Sequence, residues 1–314
     1  MTARLIMKMK VAAVAHEPNN VTVYTLSHPL RDRLADPHPG AHVDVRTPGG
    51  QIRQYSLCGN PDDPSVYKIA IKREDGGRGA SRWFHENLKV GDTVLVTTPR
   101  NNFALNLEAG RHILIAGGIG ITPFIAMARR LARRKAEFTL HYCAKSSHAP
   151  FLAELREICG DRLVTHFSDV PESRFNPVEA LKDALEDTHV YFCGPQKLTD
   201  AVREATAGWP EERVHFEVFA PTLDENFNPE PFDIVIGSSG KIIRVPANKS
   251  ALDLLRAEGF ALPSSCELGV CGSCVCTYRD GIVIHRDSIL KVSERQDKML
   301  VCVSRARVRV TLDL

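Results

Sequence analysis

The sequence predicts three consecutive domains: an antiparallel β-barrel, an α/β domain with a parallel sheet, and a small C-terminal α+β domain. Short strand-like segments separated by Pro, Gly and Asp turns fill the first hundred residues. From Arg111 strands and helices alternate behind a glycine-rich turn, which is typical of a parallel nucleotide-binding sheet. Four cysteines then fall within the stretch SSCELGVCGSCVCTY. The predicted domain bounds are 1–108, 109–223 and 224–314.

The barrel prediction depends on the spacing of its strands. Six segments have strand character and one helical stretch, 79–88, interrupts them. Regular short strands with turn signals favour a closed antiparallel barrel. The predicted strands are 11–15, 21–26, 41–47, 52–57, 67–72 and 93–97.

The second domain is predicted from alternation. Strands at 112–116, 138–144, 163–167, 189–193 and 214–219 enclose helices at 123–134, 151–159, 177–185 and 196–206. The proline-rich stretch 220–232 has little periodicity and predicts a linker. Beyond it we expect a hairpin at 232–246, a helix at 250–259 and a last strand at 308–314.

Composition limits the class of protein. The chain has 314 residues, 43% hydrophobic and 25% charged, with a net charge of +2. That balance argues against bulk electrostatic capture of nucleic acid or anionic membrane, and no apolar run approaches the roughly 20 residues of a membrane span. Without an evident secretory signal, the nine cysteines argue against a disulfide framework. We expect a cytoplasmic protein, a monomer, whose clustered thiols hold metal.

The cysteine spacing predicts the kind of metal site. Cys266, Cys271 and Cys274 follow the pattern C-x4-C-x2-C, and Cys302 follows after 27 intervening residues. This is the plant-type [2Fe–2S] spacing. Glycines inside the loop permit the unusual φ angles with which backbone N–H groups turn toward the sulfurs. A zinc site would more typically pair two C-x2-C knuckles, and only one is present.

The remaining cysteines are interpreted differently. Cys276 lies two residues beyond Cys274 and is predicted to begin a strand as a small buried hydrophobe. Cys58, Cys143 and Cys159 are assigned the same packing role. Cys193 precedes a Gly-Pro turn and is a candidate for a site or for packing.

Barrel, nucleotide domain and C-terminal ferredoxin, in that order, resemble the phthalate dioxygenase reductase family over the whole chain. That family includes the NADH-dependent reductases of vanillate demethylase and carnitine monooxygenase. The resemblance implies a ferredoxin-reductase-like flavin domain, FMN, NADH and a plant-type [2Fe–2S] cluster. It also implies a Rieske-type terminal oxygenase as the transient electron-transfer partner.

The resemblance implies where the cofactors bind. Arg53-Gln54-Tyr55-Ser56 matches the family's Arg-x-Tyr-Ser flavin motif, although a strand of alternating surface and core residues would look similar. Cofactor contacts are expected at Arg53, Gln54, Tyr55, Ser56, Ile71, Lys72, Gly79, Ala80, Ser81, Gly118, Gly120, Thr122, Asp169, Cys193, Gly194, Pro195 and Phe219. Cluster ligands are expected at Cys266, Cys271, Cys274 and Cys302.

Chemical roles are implied for a smaller set. Arg53 would pair with the flavin phosphate, and backbone N–H groups near Ser81 would cradle it. The family's Gly-Gly-Ser is Gly79-Ala80-Ser81 here, which leaves the backbone donors intact. The expected catalytic residues are Ser56, near the reactive flavin nitrogen, with Thr122 and Cys193 beside the nicotinamide.

Two assignments leave open alternatives. A carboxylate at Asp169 would bind the adenosine ribose and repel a 2′-phosphate, which favours NADH, but a turn or cap aspartate is equally compatible. Phe219 corresponds to the family's aromatic near the flavin, or it packs in the core. FMN rather than FAD follows from the resemblance alone.

The sequence thus predicts a reductase that takes hydride from NADH and passes single electrons to an oxygenase. A rival hypothesis retains the electron path but changes the acceptor, for example to a cytochrome P450. A third is a redox sensor whose cluster state controls partner binding without turnover. The oxygenase and its substrate are not predictable from this sequence.

Overall fold

A computed structural model of the chain describes residues 5–77, 79–219 and 227–314. The chain forms two compact units, Met1–Glu217 and Val218–Leu314. Since the predicted division at 108/109 falls inside the first unit, it stays a prediction. The predicted boundary at 223/224 lies outside the described residues.

The first part of the first unit is an antiparallel sheet. Its strand order is β4-β3-β6-β1-β2-β5. Leu57, directly after β4, forms an antiparallel bridge with Ile69 of β5 and so joins the two outer strands. This confirms the predicted barrel. The elements are β1 (Ile6–Glu17), β2 (Val21–Ser27), β3 (His42–Arg46), β4 (Ile52–Ser56), β5 (Val66–Lys72), α1 (Ala80–Asn87) and β6 (Thr93–Thr97).

Strand β1 shows why this region folds as a sheet. Met7, Met9 and Val11 are buried, whereas Lys8 and Lys10 between them are exposed. Alternate side chains of a strand point to opposite faces, so one face of β1 enters the barrel core and the other meets water.

The second part of this unit is a parallel sheet in the order β11-β10-β7-β8-β9. The predicted strand–helix alternation is confirmed, although the helix predicted at 177–185 is shorter than expected. The elements are β7 (Arg111–Gly117), α2 (Thr122–Arg133), β8 (Glu137–Ala144), α3 (Leu152–Cys159), β9 (Leu163–Phe167), α4 (Pro177–Leu181), β10 (Thr188–Cys193), α5 (Gln196–Ala205) and β11 (Val214–Glu217). Within the described ranges, no helix is long and apolar enough to cross a membrane.

Both sheets of the first unit share a core. Val21 and Phe103 from the barrel side pack in the same apolar cluster as Phe124 of α2. The Glu17 carboxylate accepts a hydrogen bond from the Phe151 backbone N–H at 2.9 Å. Shared packing of this kind explains why the two sheets form one unit rather than two.

The second unit is a five-stranded sheet with one helix, in the order β13-β12-β16-β14-β15. The predicted hairpin, helix and last strand are confirmed. Ser250 and Asp253 form a capping box that fixes the start of the helix. The elements are β12 (Phe232–Ile236), β13 (Ile242–Val245), α6 (Ala251–Ala257), β14 (Val275–Ile284), β15 (Lys298–Leu300) and β16 (Arg305–Leu312).

The described end of the predicted linker 220–232 has no regular secondary structure before β12, but it packs against the second unit. The Arg286 guanidinium lies over the Phe227 ring at 3.9 Å, and Arg305 Nη2 donates to the Glu230 carbonyl oxygen at 2.9 Å. Prolines suppress regular structure there, but an aromatic ring and free carbonyl oxygens still offer arginine partners. Residues 220–226 lie outside the described residues.

Strand β16 contains a strained residue. Val308 has a φ of 56° and its side chain is 77% exposed. A left-handed conformation costs an L-residue about 1–2 kcal/mol, and a β-branched side chain is among the least tolerant.

We therefore expect Val308→Gly to stabilise the second unit by about 1 kcal/mol through loss of this strain. The measurement is the urea midpoint of cluster absorbance. The control is Val292→Gly, at a position 82% exposed and outside the positive-φ set, which should give no stabilisation. Equal midpoints for wild type and Val308→Gly would contradict the strain argument.

Candidate active site and cluster centre

Two glycine loops meet at the carboxyl edge of the parallel sheet. A side-chain Cβ on Gly120 would lie 2.3 Å from the Cys193 carbonyl oxygen, and one on Gly117 would lie 2.6 Å from Pro195 Cδ. No side chain fits at either position. By contrast, Gly118 has a φ of 55° with open space beyond it. The loops therefore form a backbone-walled recess at the start of α2, as a pyrophosphate requires.

Thr122 and Cys193 lie at this edge, as predicted. Thr122 begins α2, and its hydroxyl donates to the Ile119 carbonyl oxygen at 3.1 Å. Cys193 ends β10 and is 1% exposed. Burial and the neighbouring Glu217 raise the pKa of the Cys193 thiol well above its ordinary value, so the thiol is neutral. Their catalytic roles stay predictions.

The structure adds a residue that the sequence did not indicate, Glu217. It ends β11 opposite Cys193 in the strand register. Ser56 Oγ donates to Glu217 Oε2 at 3.4 Å. Burial raises the pKa of Glu217 to about 8. A protonatable carboxyl group thus connects the predicted flavin-side hydroxyl to the predicted nicotinamide-side thiol.

Strand β4 carries the predicted flavin motif with its side chains on alternate faces. Arg53 Nη1 donates to the Ile52 carbonyl oxygen at 2.8 Å. The Tyr55 ring meets Phe84 of α1 edge-on, with 6.0 Å between centroids. Gln54 points elsewhere: its amide nitrogen lies 3.2 Å from both Asp44 Oδ1 and His42 Nε2. These contacts occupy the amide nitrogen of Gln54.

The start of α1 fits a phosphate. Gly79 caps the helix with a φ of 89° and open space where a side chain would be. The first turn of a helix presents backbone N–H groups without acceptors inside the helix. Ala80 is buried behind them. The Ser81 hydroxyl accepts from Glu74 N at 3.1 Å and donates to the Glu74 carbonyl oxygen at 3.4 Å. The remaining anion donors here are backbone groups.

Ile71 and Lys72 have contacts within the barrel domain, and their predicted cofactor contacts stay predictions. The Ile71 side chain is fully buried in the barrel core, and Lys72 Nζ pairs with Glu74 at 2.6 Å. The Ile71 carbonyl oxygen accepts from His85 Nε2 of α1 at 2.8 Å. His85 in turn lies 3.2 Å from the Thr22 hydroxyl. These contacts fix α1 against the sheet and thereby hold its first turn in place.

Asp169 lies at the same carboxyl edge, exposed, two residues beyond β9. Its backbone N–H donates to the Lys145 carbonyl oxygen at 3.1 Å, so the ends of β8 and β9 run side by side. The position suits an adenosine ribose, and the role of Asp169 stays a prediction. Phe219, at 41% exposure, is not a buried core residue.

In the second unit the four predicted ligand cysteines meet in two pairs. The Cys266 thiol is hydrogen-bonded to Cys271 and lowers the pKa of Cys271. The Cys302 thiol is hydrogen-bonded to Cys274 and lowers the pKa of Cys274. Two irons that each need two thiolates match this donor set. Among the described residues, no group of three or more His, Cys, Asp or Glu side chains is arranged to hold a single metal ion.

The loop that carries these cysteines has the predicted backbone. Gly269 and Gly272 have φ values of 75° and 68°. The Leu268 N–H donates to Cys266 Sγ at 3.3 Å, and the Ser273 N–H donates to Cys271 Sγ at 3.5 Å. Backbone dipoles directed at the sulfurs stabilise thiolates and suit a negatively charged cluster.

Cys276 differs from the four. It lies in β14 opposite Met299 of β15 and is buried in the apolar core of the unit. Burial raises the pKa of Cys276 to about 12, so its thiol is neutral. This supports the predicted packing role.

Comparison with known proteins agrees with this geometry. Residues 114–204 match the family described as "Oxidoreductase NAD-binding domain". Residues 234–307 match the family described as "2Fe-2S iron-sulfur cluster binding domain". The two matches fall on the parallel sheet and on the cysteine loop unit.

Phthalate dioxygenase reductase from Burkholderia cepacia is 37% identical over 313 residues, which covers 98% of this chain and 97% of the relative. The chain belongs to the phthalate dioxygenase reductase family. A solved structure of a phthalate dioxygenase reductase has a TM-score of 0.76 at 36% identity, with 98% of both chains covered. Members of this reductase family are NADH-dependent oxidoreductases with a flavin and a [2Fe–2S] cluster, as the sequence predicts.

The reductase fold also occurs inside a longer protein. An intact type IV self-sufficient cytochrome P450 monooxygenase matches with a TM-score of 0.86 and 36% identity. The match covers 98% of this chain but 41% of the monooxygenase, so this chain spans about two fifths of that protein.

The cysteine assignment gives a direct prediction. Cys271→Ser should lose most of the bound iron, because one iron would keep a single thiolate, whereas Cys276→Ser should retain it. Iron per chain and the electron paramagnetic resonance signal of the reduced protein measure both. Loss of iron in Cys276→Ser with retention in Cys271→Ser would overturn the assignment.

Glu217 gives a pH prediction. Its pKa in the folded chain, about 8, is raised above the ordinary 4.5, so its stabilising contribution is complete below about pH 4.5. That contribution is lost as the pH rises through about 8, at up to about 1.4 kcal/mol per pH unit. Relative to Glu217→Gln, the free energy of unfolding of the apoprotein should therefore fall over this range.

The measurement is urea unfolding of both proteins at pH 5, 7 and 9 by tryptophan fluorescence. Trp83 and Trp209, the two tryptophans of the chain, both lie in the first unit. A difference between the two proteins that is constant with pH would mean that Glu217 is ionised throughout.

Proposed function

We propose that this chain is the reductase component of a Rieske-type oxygenase system, with FMN as its flavin. It takes hydride from NADH and delivers single electrons to the oxygenase. The observation that carries the proposal is that one chain combines a recess for a two-electron donor with paired thiols for a one-electron carrier. When bound, the flavin accepts two electrons as hydride and releases them singly, and the cluster carries one at a time.

The residues of the first unit bind and orient the reactants. Gly118 and Gly120 admit the NADH pyrophosphate to the start of α2, and Thr122 closes the recess. Arg53 and the first turn of α1 hold the flavin phosphate. We favour FMN over FAD on the family resemblance alone.

Ser56, Glu217 and Cys193 control protons and water between the two sites. The Ser56 hydroxyl and the protonated Glu217 carboxyl provide hydrogen bonds next to the position where hydride moves. The Cys193 thiol is neutral, small and buried, so it excludes water without adding charge.

A Rieske acceptor fits the energetics. Plant-type clusters lie near roughly −400 mV and Rieske centres at about −150 to +300 mV. The smallest gap, about 250 mV, corresponds to roughly four decades of equilibrium constant for one electron. Transfer to such a partner is therefore strongly downhill. None of the nine cysteines forms a disulfide, which suits the reducing cytoplasm. We propose a monomer that docks transiently.

A cytochrome P450 is the second candidate acceptor. It is favoured by the likeness to the self-sufficient monooxygenase described above. The two candidate functions differ in the acceptor protein to which the reduced chain delivers electrons. Parallel turnover assays with a Rieske oxygenase and with a P450 distinguish between them.

The exit of electrons is tested by truncation. A chain that ends near Asp224 should still bind flavin and oxidise NADH with ferricyanide, which accepts electrons from a flavin directly. It should lose nearly all turnover with a protein acceptor because the cluster unit is missing. The assay compares NADH oxidation with both acceptors for the full and truncated chains. Undiminished support of the protein acceptor would mean that electrons leave from the flavin.

A further inference from the structure

A buried carboxylate, Asp287, lies beside the cysteine loop. Its side chain has no exposed surface. One oxygen, Oδ1, accepts hydrogen bonds from the backbone N–H groups of Ile289 at 3.2 Å and Leu290 at 2.8 Å. These bonds fold the segment after β14 into a tight turn around the charge.

The second oxygen of Asp287 is poorly compensated. Oδ2 is buried and has no hydrogen-bond partner within the described part of the chain. His285 Nδ1 lies 3.6 Å away. His285 Nε2 is 3.1 Å from the Arg295 carbonyl oxygen, which can only accept. Nε2 therefore carries the proton in the neutral ring, and Nδ1 presents a lone pair rather than a donor to Asp287.

The nearby Arg295 guanidinium compensates the Asp287 carboxyl group only in part. Arg295 Nη2 lies 3.7 Å from Asp287 Oδ1, beyond hydrogen-bond distance. The same nitrogen donates instead to the Asp287 backbone carbonyl oxygen at 3.1 Å. Burial lowers the pKa of His285, which keeps that ring neutral. The Asp287 side chain is thus buried next to an arginine that lies beyond hydrogen-bond distance of its carboxyl oxygens.

The turn around Asp287 forms a wall of the cysteine loop. The Ser288 N–H donates to the Gly269 carbonyl oxygen at 3.1 Å. A Cβ on Gly269 would lie 3.2 Å from Asp287 Cα, and a Cβ on Gly272 would lie 3.2 Å from Ile289 Cδ1. Gly269 and Gly272 flank Cys271, so the turn supports the loop on both sides of a ligand.

We propose that Asp287 is a positioning residue of the cluster loop whose buried charge lowers the reduction potential of the [2Fe–2S] cluster. Reduction adds one electron to the cluster, and a nearby negative charge in a medium of low polarity opposes that addition. A low potential increases the driving force toward any acceptor. The inference rests on the proposed cysteine ligands and is independent of the identity of the acceptor.

Asp287→Asn isolates the charge, because an amide oxygen can still accept from Ile289 and Leu290. We expect the equilibrium constant for cluster reduction to rise about tenfold, equivalent to a shift of about 59 mV to more positive potential. The measurement is a redox titration of the full chain followed by electron paramagnetic resonance, with iron counted per chain. The control is Asp280→Asn, an exposed carboxylate in β14, which removes the same charge and should leave the potential nearly unchanged.

Arg295→Gln provides the opposite test. Removing the counter-charge of Asp287 should move the cluster potential to more negative values, opposite to the shift expected for Asp287→Asn. If Asp287 and Arg295 had only a structural role, both variants would lower the iron content and would not shift the potential in opposite directions. If Asp287→Asn fails to retain iron, Arg295→Gln alone decides: a negative shift supports the proposal. Unchanged potentials in both variants, or shifts of the same sign, would overturn it. Wild-type protein without two irons would instead refute the ligand assignment.

Discussion

The carbonyl oxygen of Cys193 occupies the space that a side chain on Gly120 would need. This contact brings the loop after β10 against the loop after β7, so the two strand ends form a recess walled by backbone. Cys193 and Glu217 then face each other across neighbouring strands. The half-buried Glu217 reaches Ser56 of the barrel. The alignment of the predicted flavin and nicotinamide sites thus depends on the contact between Gly120 and the Cys193 backbone, which leaves no space for a side chain on Gly120.

The cluster unit uses backbone in a similar way. Its loop turns at two glycines with positive φ, and N–H groups from the loop point at the cysteine sulfurs. In both units the predicted cofactor sites contain few side chains, and most of the shape of these sites comes from main-chain conformation. At Gln54 and Ser81 the side chains already contact neighbours, since the Gln54 amide nitrogen bonds to Asp44 and the Ser81 hydroxyl bonds to Glu74.

Features with local signals were predictable from the sequence. The alternation in β1, the glycine turn before α2 and the cysteine spacing each follow from a short segment. Glu217 was not predictable, because its contact with Ser56 joins residues that are 161 positions apart in the sequence. Phe227 was assigned to a linker because prolines surround it in the sequence. Its contact with Arg286 joins residues that are distant in the sequence and leaves no local signal. Carboxylates and aromatics of this kind acquire their roles only from tertiary packing.

The most direct test of the account is Gly120→Ala, with Gly208→Ala as control because the space around Gly208 is open. The added methyl group would overlap the Cys193 carbonyl oxygen and spread the two loops. The measurement is kcat/KM for NADH with ferricyanide, together with flavin and iron per chain. We expect Gly120→Ala to lose at least tenfold in kcat/KM with flavin and iron retained, and Gly208→Ala to match wild type. Wild-type kcat/KM in Gly120→Ala would contradict the claim that the contact between these loops shapes the nicotinamide site.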